Sequence, residues 1–212
     1  GRGEKTASLT LNRATDTTRQ PGSTFKILAS YSAALDAGGL TLASVQDDAP
    51  YTYAGANGKS VSNYDKRYRG FTTLREAITD SINIVTVKTL AQVGVSLGWQ
   101  YVQEYGFTTV DSRDMNEALA LGGITQGVSN LELTAAYAAI ANQGTYIKPK
   151  FYTKILDHDG NVLIDNTTPE SHTVIKDTTA WLLTSAMEDV MTSGTGTSAY
   201  FGSSMAQAGK SG

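Results

Sequence analysis

Apolar residues recur at helical spacing through the middle of the chain, while apolar-polar alternation gathers towards its two ends. Ala7-Ser8-Leu9-Thr10-Leu11 alternates small or polar residues with leucine and predicts a β-rich entry over residues 1–19. Pro21-Gly22 then breaks the chain sharply. Beyond it Phe25, Ile27, Leu28, Tyr31, Ala34 and Leu35 predict a helix over residues 23–37, begun or capped by Ser23 and stopped by Gly38-Gly39. Its apolar positions fall on several sides, the pattern of a helix buried in the middle of a domain.

Residues 40–72 are rich in Gly, Asn, Asp, Ser and Tyr; their tyrosines and Val61 mark an ordered loop excursion rather than a linker. A short helix is predicted over 73–80. Ser81-Ile82-Asn83 interrupts it, and a helix resumes over 84–93, ending at Gly94. Another short helix, 96–105, closes at Gly106, and residues 122–127 read as a flexible glycine-rich loop. Ser129 and Glu132 form a capping-box pattern ahead of a helix over 131–142, which Gly144 ends. The period then changes. Residues 151–156 and 162–164 predict a hairpin around Asp159-Gly160-Asn161, and Val174-Ile175 a further short strand. Asp177 caps a helix over 178–191, residues 194–197 form a loop, and 205–212 are extended. Helices thus dominate the middle and strands the ends, without internal repeats. The expected fold is α/β, with a helical subdomain at roughly 38–145 inserted into an α/β subdomain and a cleft between the two.

Composition narrows the function. A chain of 212 residues with 40% hydrophobic and 17% charged residues has the make-up of one globular domain, or of two closely packed subdomains. A formal net charge of −3 argues against nucleic acid or anionic lipid as a partner. No stretch approaches the roughly 20 apolar residues that cross a bilayer, so any membrane tether is expected outside these residues. The absence of cysteine excludes disulfides, thiolate metal sites and a cysteine nucleophile. The two histidines, His158 in a turn and His172 in a polar stretch, read as exposed loop residues and argue against a Ser-His-Asp triad.

Three short motifs offer another route. Ser23 and Lys26 are three residues apart and share a helical face, so a lysine amine kept partly neutral by burial can take the serine proton. The helix N-terminus favours a developing oxyanion. Ser81-Ile82-Asn83 provides a hydroxyl for proton relay and an amide to hold a peptide group. Lys210-Ser211-Gly212, at the end of an extended segment, provides a cation and a hydroxyl for a carboxylate, with glycine admitting a substrate backbone. Alone, each is more often a helix cap, a junction cap or an edge-strand charge. Together, and in this order, they match the motif set of serine β-lactamases and penicillin-binding proteins.

The resemblance extends well beyond the motifs. Asn12-Arg13-Ala14 and the run from Arg19 to Lys26 look like the nucleophile region of class A (bifunctional) penicillin-binding proteins. Arg75-Glu76-Ala77, Asp80-Ser81-Ile82-Asn83, Ala120-Leu121-Gly122-Gly123, Gly127-Val128-Ser129, Ala139-Ile140-Ala141-Asn142-Gln143-Gly144, Gly194-Thr195-Gly196 and Gly209-Lys210-Ser211-Gly212 resemble later stretches of the same family. Ser211 stands where Thr is commoner, which keeps the hydroxyl.

The resemblance implies the β-lactamase/transpeptidase-like fold, an antiparallel sheet flanked by helices with an inserted helical subdomain, truncated here at both ends. It implies a peptidoglycan D,D-transpeptidase acylated by β-lactams. In that family Ser23 would be the nucleophile and Lys26 its base. Ser81 and Lys210 would relay the proton to the leaving nitrogen. Asn83 would hold the substrate amide, while Ser211 and Gly212 would receive its carboxylate end. No cofactor or metal is implied. The implied partners are peptidoglycan stem peptides, β-lactam antibiotics and the remaining N- and C-terminal segments of the same domain. The parent would be a membrane-anchored protein with a glycosyltransferase domain, on the extracytoplasmic face of the bacterial membrane, and the bare 212 residues would acylate poorly. Three other readings stay open: a serine β-lactamase, a β-lactam sensor domain, and a purely binding or structural piece. A lactamase would need a water-activating acid. Loop 122–130 carries none, and Glu132 is accounted for by its capping box.

Overall fold

The structure, a computed structural model, describes residues 8–54, 58–202 and 204–212. Strand β1 (Thr18–Arg19) leads into helix α1, residues 22–36. This helix opens as a 3₁₀ turn (Gly22–Thr24), passes through a π turn (Ile27–Tyr31) and closes as regular α-helix (Ser32–Asp36). Residues 25–34 are all buried, as the apolar pattern on several faces requires. The π turn has a local cause. Ser32 donates both its backbone N–H and its hydroxyl, at 2.9 Å, to the Ile27 carbonyl five residues back. Around it, Ser30 Oγ donates to Thr86 O at 2.9 Å and Tyr31 Oη pairs with Thr86 Oγ1 at 2.8 Å.

The excursion over 40–72 contains four short strands, β2 (Val45–Asp48), β3 (Tyr51–Thr52), β4 (Ser60–Val61) and β5 (Gly70–Thr73). β2 pairs antiparallel with β5, Val45 opposite Thr73 and Asp48 opposite Gly70, and β3 pairs with β4. These strands are too short and too polar to show alternation. Helices α2 (Leu74–Thr79), α3 (Asn83–Val93) and α4 (Val95–Glu104) follow, with two 3₁₀ turns at Ser112–Asp114 and Glu117–Leu121. Thr73 and Glu76 close a capping box on α2.

β6 (Val128–Ser129) pairs with β1 and opens α5 (Asn130–Ala141), where the expected Ser129–Glu132 capping box forms. β7 (Thr145–Ile147), the hairpin β8 (Lys154–Leu156) and β9 (Val162–Asp165), β10 (Ser171–Thr173), α6 (Asp177–Thr192) and a 3₁₀ turn at Thr197–Ala199 complete the order.

The fold is mixed α/β, with antiparallel pairing throughout, and it departs from the sequence expectation at several points. Among the described residues the strands form five two-stranded ladders rather than one sheet. Residues 8–11 form no strand: Leu9 and Leu11 stand 102% and 62% exposed, without a ladder to bury them. Residues 1–7 of the expected β-rich entry lie outside the described residues. The strand expected at Val174-Ile175 sits just before it, as β10 on β7, because Val174 and Ile175 turn inward to the core. His172 is therefore a strand residue, its Nε2 2.8 Å from Glu104 O and its ring beside Tyr146. The cap position of α6 falls on Lys176, and Asp177 is the first helical residue. Met205 lies in a bend and residues 206–212 carry no regular secondary structure, so Lys210-Ser211-Gly212 is not on a ladder; Gly209 N–H instead donates to Met187 O of α6 at 3.2 Å.

Candidate active site

Ser23 is the middle residue of the 3₁₀ turn that opens α1. The turn is held from outside. Gln20 pairs its side-chain amide with both backbone groups of Ile124; the Ile124 N–H donates to Oε1 at 2.9 Å. Thr24 Oγ1 donates to Pro21 O and Tyr137 Oη donates to Thr24 O, both at 2.6 Å. Gly122, at φ +72, lies so close that a Cβ there would sit 2.4 Å from Gly22 O. The loop over 122–127 is thus pinned rather than free. Its other anchor is buried Asp114, whose Oδ1 accepts from Thr125 N at 2.7 Å and from Thr125 Oγ1 at 2.6 Å.

One turn into α1, Lys26 is fully buried. Its Nζ lies 2.6 Å from Ser81 O, 2.6 Å from Asn83 Oδ1 and 3.1 Å from Ser81 Oγ, and does not bond Ser23. Lys210 reaches the same hydroxyl from the other side, donating to Ser81 Oγ at 2.8 Å and to Ser211 O at 2.9 Å. Burial, reinforced by the Lys210 cation, pulls the Lys26 amine down to about 6, and burial brings Lys210 down to about 8. At neutral pH Lys26 is therefore mostly a free amine and Lys210 mostly an ammonium. A neutral amine has two protons and one lone pair. Lys26 donates to Ser81 O and Asn83 Oδ1, which leaves its lone pair for the Ser81 hydroxyl. Ser81 holds this bridge with a left-handed backbone, φ +56.

The third motif completes the enclosure. Ser211 Oγ pairs with Thr195 Oγ1 at 2.6 Å, and the Thr195 N–H donates to Thr79 O at 3.2 Å, which ties the segment after α6 to the end of α2. Gly212 lies against the Ser23 turn; a Cβ there would meet Thr24 Cγ2 at 2.7 Å. Ser23, Ser81, Asn83, Ser211 and Gly212 all line one cleft of about 870 Å³, with Lys26 and Lys210 joined to it through Ser81. The seven residues singled out in the sequence are therefore brought together. Its rim is the segment between β4 and β5, including Tyr64, Lys66 and Arg69. The two acids of the wall, Asp65 and Asp80, face Arg69 at 3.0 and 3.9 Å. Glu132 is held by Ser129 Oγ at 2.8 Å and Thr108 N at 2.9 Å, outside the cleft.

Sequence reasoning missed Gln20, Ser62, Asn63 and Thr195. Gln20 and Thr195 fall inside stretches that carried the family resemblance. Ser62 and Asn63 lie in what read as loop, and nothing local marks them.

Ser23 at the opening of α1, the buried Lys26 amine, and the Ser81 and Ser211 hydroxyls reached by Lys210 and Thr195 make an arrangement that can support serine acyl transfer. The family description "Penicillin binding protein transpeptidase domain" matches residues 2–212, and the chain belongs to that family. It is 39% identical over 194 residues to penicillin-binding protein 1F of Bacillus subtilis (strain 168), covering 92% of this chain and 26% of that protein. It is 36% identical over 213 residues to penicillin-binding protein 1A of Streptococcus oralis, covering 97% of this chain and 32% of that protein. Among solved structures, penicillin-binding protein 1A from Haemophilus influenzae superposes with a TM-score of 0.77 at 27% identity, over 88% of this chain and 33% of that one. The chain thus spans about a quarter to a third of the length of these relatives.

Proposed function

We propose that this chain carries the acylating centre of a peptidoglycan D,D-transpeptidase, with Ser23 as nucleophile and β-lactams as its covalent inhibitors. The observation that carries the reading is the Lys26–Ser81–Lys210 bridge at the foot of the Ser23 cleft. Ser23 Oγ attacks the carbonyl between the two terminal D-alanines of a stem peptide, and its proton passes to the free amine of Lys26, whose lone pair turns from Ser81 Oγ to Ser23 Oγ as the substrate seats. Bonds of this kind tighten when substrate closes the site, so their absence at rest does not count against the base. The Ser23–acyl bond forms, the peptide C–N bond breaks, and Lys210, through Ser81, delivers a proton to the leaving nitrogen. An amine from a second stem then attacks the ester; its proton passes through Ser81 to Lys210, the ester C–O bond breaks, and Lys26 returns a proton to the Ser23 oxygen.

Asn83 commits Oδ1 to Lys26 and one Nδ2 proton to Ser62 O at 2.8 Å, so one N–H remains for the substrate amide. Ser211, with Thr195 beside it and Lys210 behind, receives the terminal carboxylate. The chemistry calls for neither metal nor organic cofactor. The pairing of both cleft acids with Arg69 favours a stable acyl-enzyme over hydrolysis by an activated water. In this reading the cleft separates a helical subdomain, roughly 38–145, from an α/β subdomain. No described helix is long and apolar enough to cross a membrane. The site acts on the extracytoplasmic face, in a membrane-anchored protein that also carries a glycosyltransferase domain. In the full-length protein, Ser23→Ala abolishes covalent labelling by a fluorescent penicillin and leaves the melting temperature in place. Peptide mapping that finds the adduct on another serine overturns the assignment.

A further inference from the structure

Asn63 lies between β4 and β5 and is buried, 3% exposed, with every polar atom in use. Its Oδ1 accepts the backbone N–H groups of Asn83 at 3.0 Å and Ile84 at 3.2 Å. Helix α3 has no side-chain cap from its own Ile82, so Asn63 caps it from 20 residues away in sequence. The adjoining Ser62 O takes Asn83 Nδ2 at 2.8 Å. Asn83 is thus gripped by backbone and side chain together, and its remaining oxygen rests on Lys26 Nζ.

Behind Asn63 sits Asp48, fully buried at the end of β2. Both carboxylate oxygens accept from Asn63 Nδ2, at 2.8 and 3.0 Å; one also accepts the Arg69 N–H at 2.9 Å, with the Arg69 guanidinium 4.0 Å away. A buried carboxylate is unfavourable unless its partners are complete. A cap alone does not call for one: α2 and α5 are capped locally by Thr73 and Ser129. Together with the Arg67 carbonyl, which accepts from Asn63 Nδ2 at 2.8 Å, what an acid adds is direction. A carboxylate only accepts, so the Asn63 amide must turn its nitrogen to Asp48 and its oxygen to α3.

We propose that Asp48 and Asn63 form a positioning pair for the second motif: Asp48 orients the Asn63 amide, Asn63 fixes the first turn of α3, and Asn83 Oδ1 is thereby held on the Lys26 amine. The inference rests on Lys26 acting as the base. It is tested in the full-length protein with Asn63→Ala, Asn63→Asp and the swap Asn63→Asp/Asp48→Asn. The swap returns a donor at 48 to an acceptor at 63. Asn63→Ala slows acylation by a fluorescent penicillin about 10²-fold, the scale of a small misplacement at a reacting group. The fraction of protein finally labelled stays at the wild-type level. The acid limb of the pH profile moves to lower pH, because Lys26 loses an acceptor that favours its ammonium form while Lys210, the charged group facing it, stays. Asn63→Asp sets two carboxylates face to face and is slower still; the swap removes that repulsion and is faster than Asn63→Asp, but stays below wild type because a carboxylate at 63 has no proton for the Arg67 carbonyl. A wild-type rate in Asn63→Ala, a loss confined to the labelled fraction, or a swap no faster than Asn63→Asp overturns the proposal. If wild type is not acylated at Ser23, the proposed function falls. The positioning claim is then decided by following the Lys26 Nζ titration by NMR, where an unmoved midpoint in Asn63→Ala overturns it.

Discussion

Replacing Lys210 by methionine keeps the bulk of the stem and removes the cation across Ser81 from Lys26. The two Nζ atoms share Ser81 Oγ, at 2.8 and 3.1 Å. They therefore lie within about 6 Å, where two unit charges repel by about 0.7 kcal/mol in a water-like dielectric and about 2.8 kcal/mol at an effective value of about 20. At about 1.4 kcal/mol per pK unit, that repulsion amounts to roughly 0.5–2 units. Lys26 sits near 6 through burial first and Lys210 second. Removing Lys210 leaves the burial in force, so the Lys26 pKa rises by this increment and does not return to its ordinary value. Acylation needs the free amine, so its acid limb moves to higher pH by the same amount, and the loss of rate is steeper in acid than in alkali. The missing proton donor separately lowers the plateau at every pH. Stopped-flow acylation of the full-length protein with a reporter β-lactam, across the acid and neutral range, resolves midpoint from plateau. Lys210→Arg keeps a cation and should hold the midpoint near wild type. A Lys210→Met midpoint that stays put or moves down would refute the coupling, because the limb would then report a group other than a lysine amine facing a cation.

Lys26→Met tests the same depression through stability. Because the folded pKa, about 6, lies below the ordinary 10.5, the folded chain binds fewer protons than the unfolded chain between those values. Wild type therefore gains stability relative to Lys26→Met as pH rises through that window, by up to about 1.4 kcal/mol per pH unit; urea melts showing a pH-independent difference would contradict it. Gly122→Ala forces a Cβ to within 2.4 Å of Gly22 O at a backbone φ of +72, so the Ser23 turn must shift. Acylation should slow about 10²-fold, and an unchanged rate would show that the loop yields without moving Ser23. Ser129→Ala removes the α5 cap, which should cost about 1 kcal/mol in a denaturant melt and leave the acylation rate alone.

What could be read in the sequence was local. Ser23 and Lys26 share one turn of α1, Ser129 and Glu132 close a capping box within three residues, and Pro21-Gly22 announces the turn before the nucleophile. Such features depend on neighbours in sequence, so residue type and spacing reveal them. What could not be read depends on distant partners. Asn63 looks like any loop asparagine until Asp48 lies on one side and Asn83 on the other, 15 and 20 residues away. The π turn is the exception: its partners, Ser32 and Ile27, are only five residues apart, but the helix around them has the composition of an ordinary buried one. The segment over 205–212 reads as a strand in sequence, but pairing is a property of two segments, and among the described residues its backbone finds a hydrogen bond on α6 instead.

Several features that run against local preference lie around the cleft. Ser81 holds a left-handed backbone without being glycine, and so does Lys66 on the rim. Lys26 and Asp48 are charged residue types with no solvent exposure. The π turn lies in the helix that carries Ser23. Each is unfavourable by itself and persists only because surrounding contacts determine it. The contacts do so in a particular way. Burial makes Lys26 a base at neutral pH, and the left-handed turn at Ser81 lets one residue present both its carbonyl and its hydroxyl to that amine. Relaxing either would stabilise the chain and disconnect the bridge. Substitutions that raise stability at Lys26 or Ser81 should therefore be the ones that lower acylation, whereas those at Ser129 should lower stability alone. That opposition follows from where the strain sits.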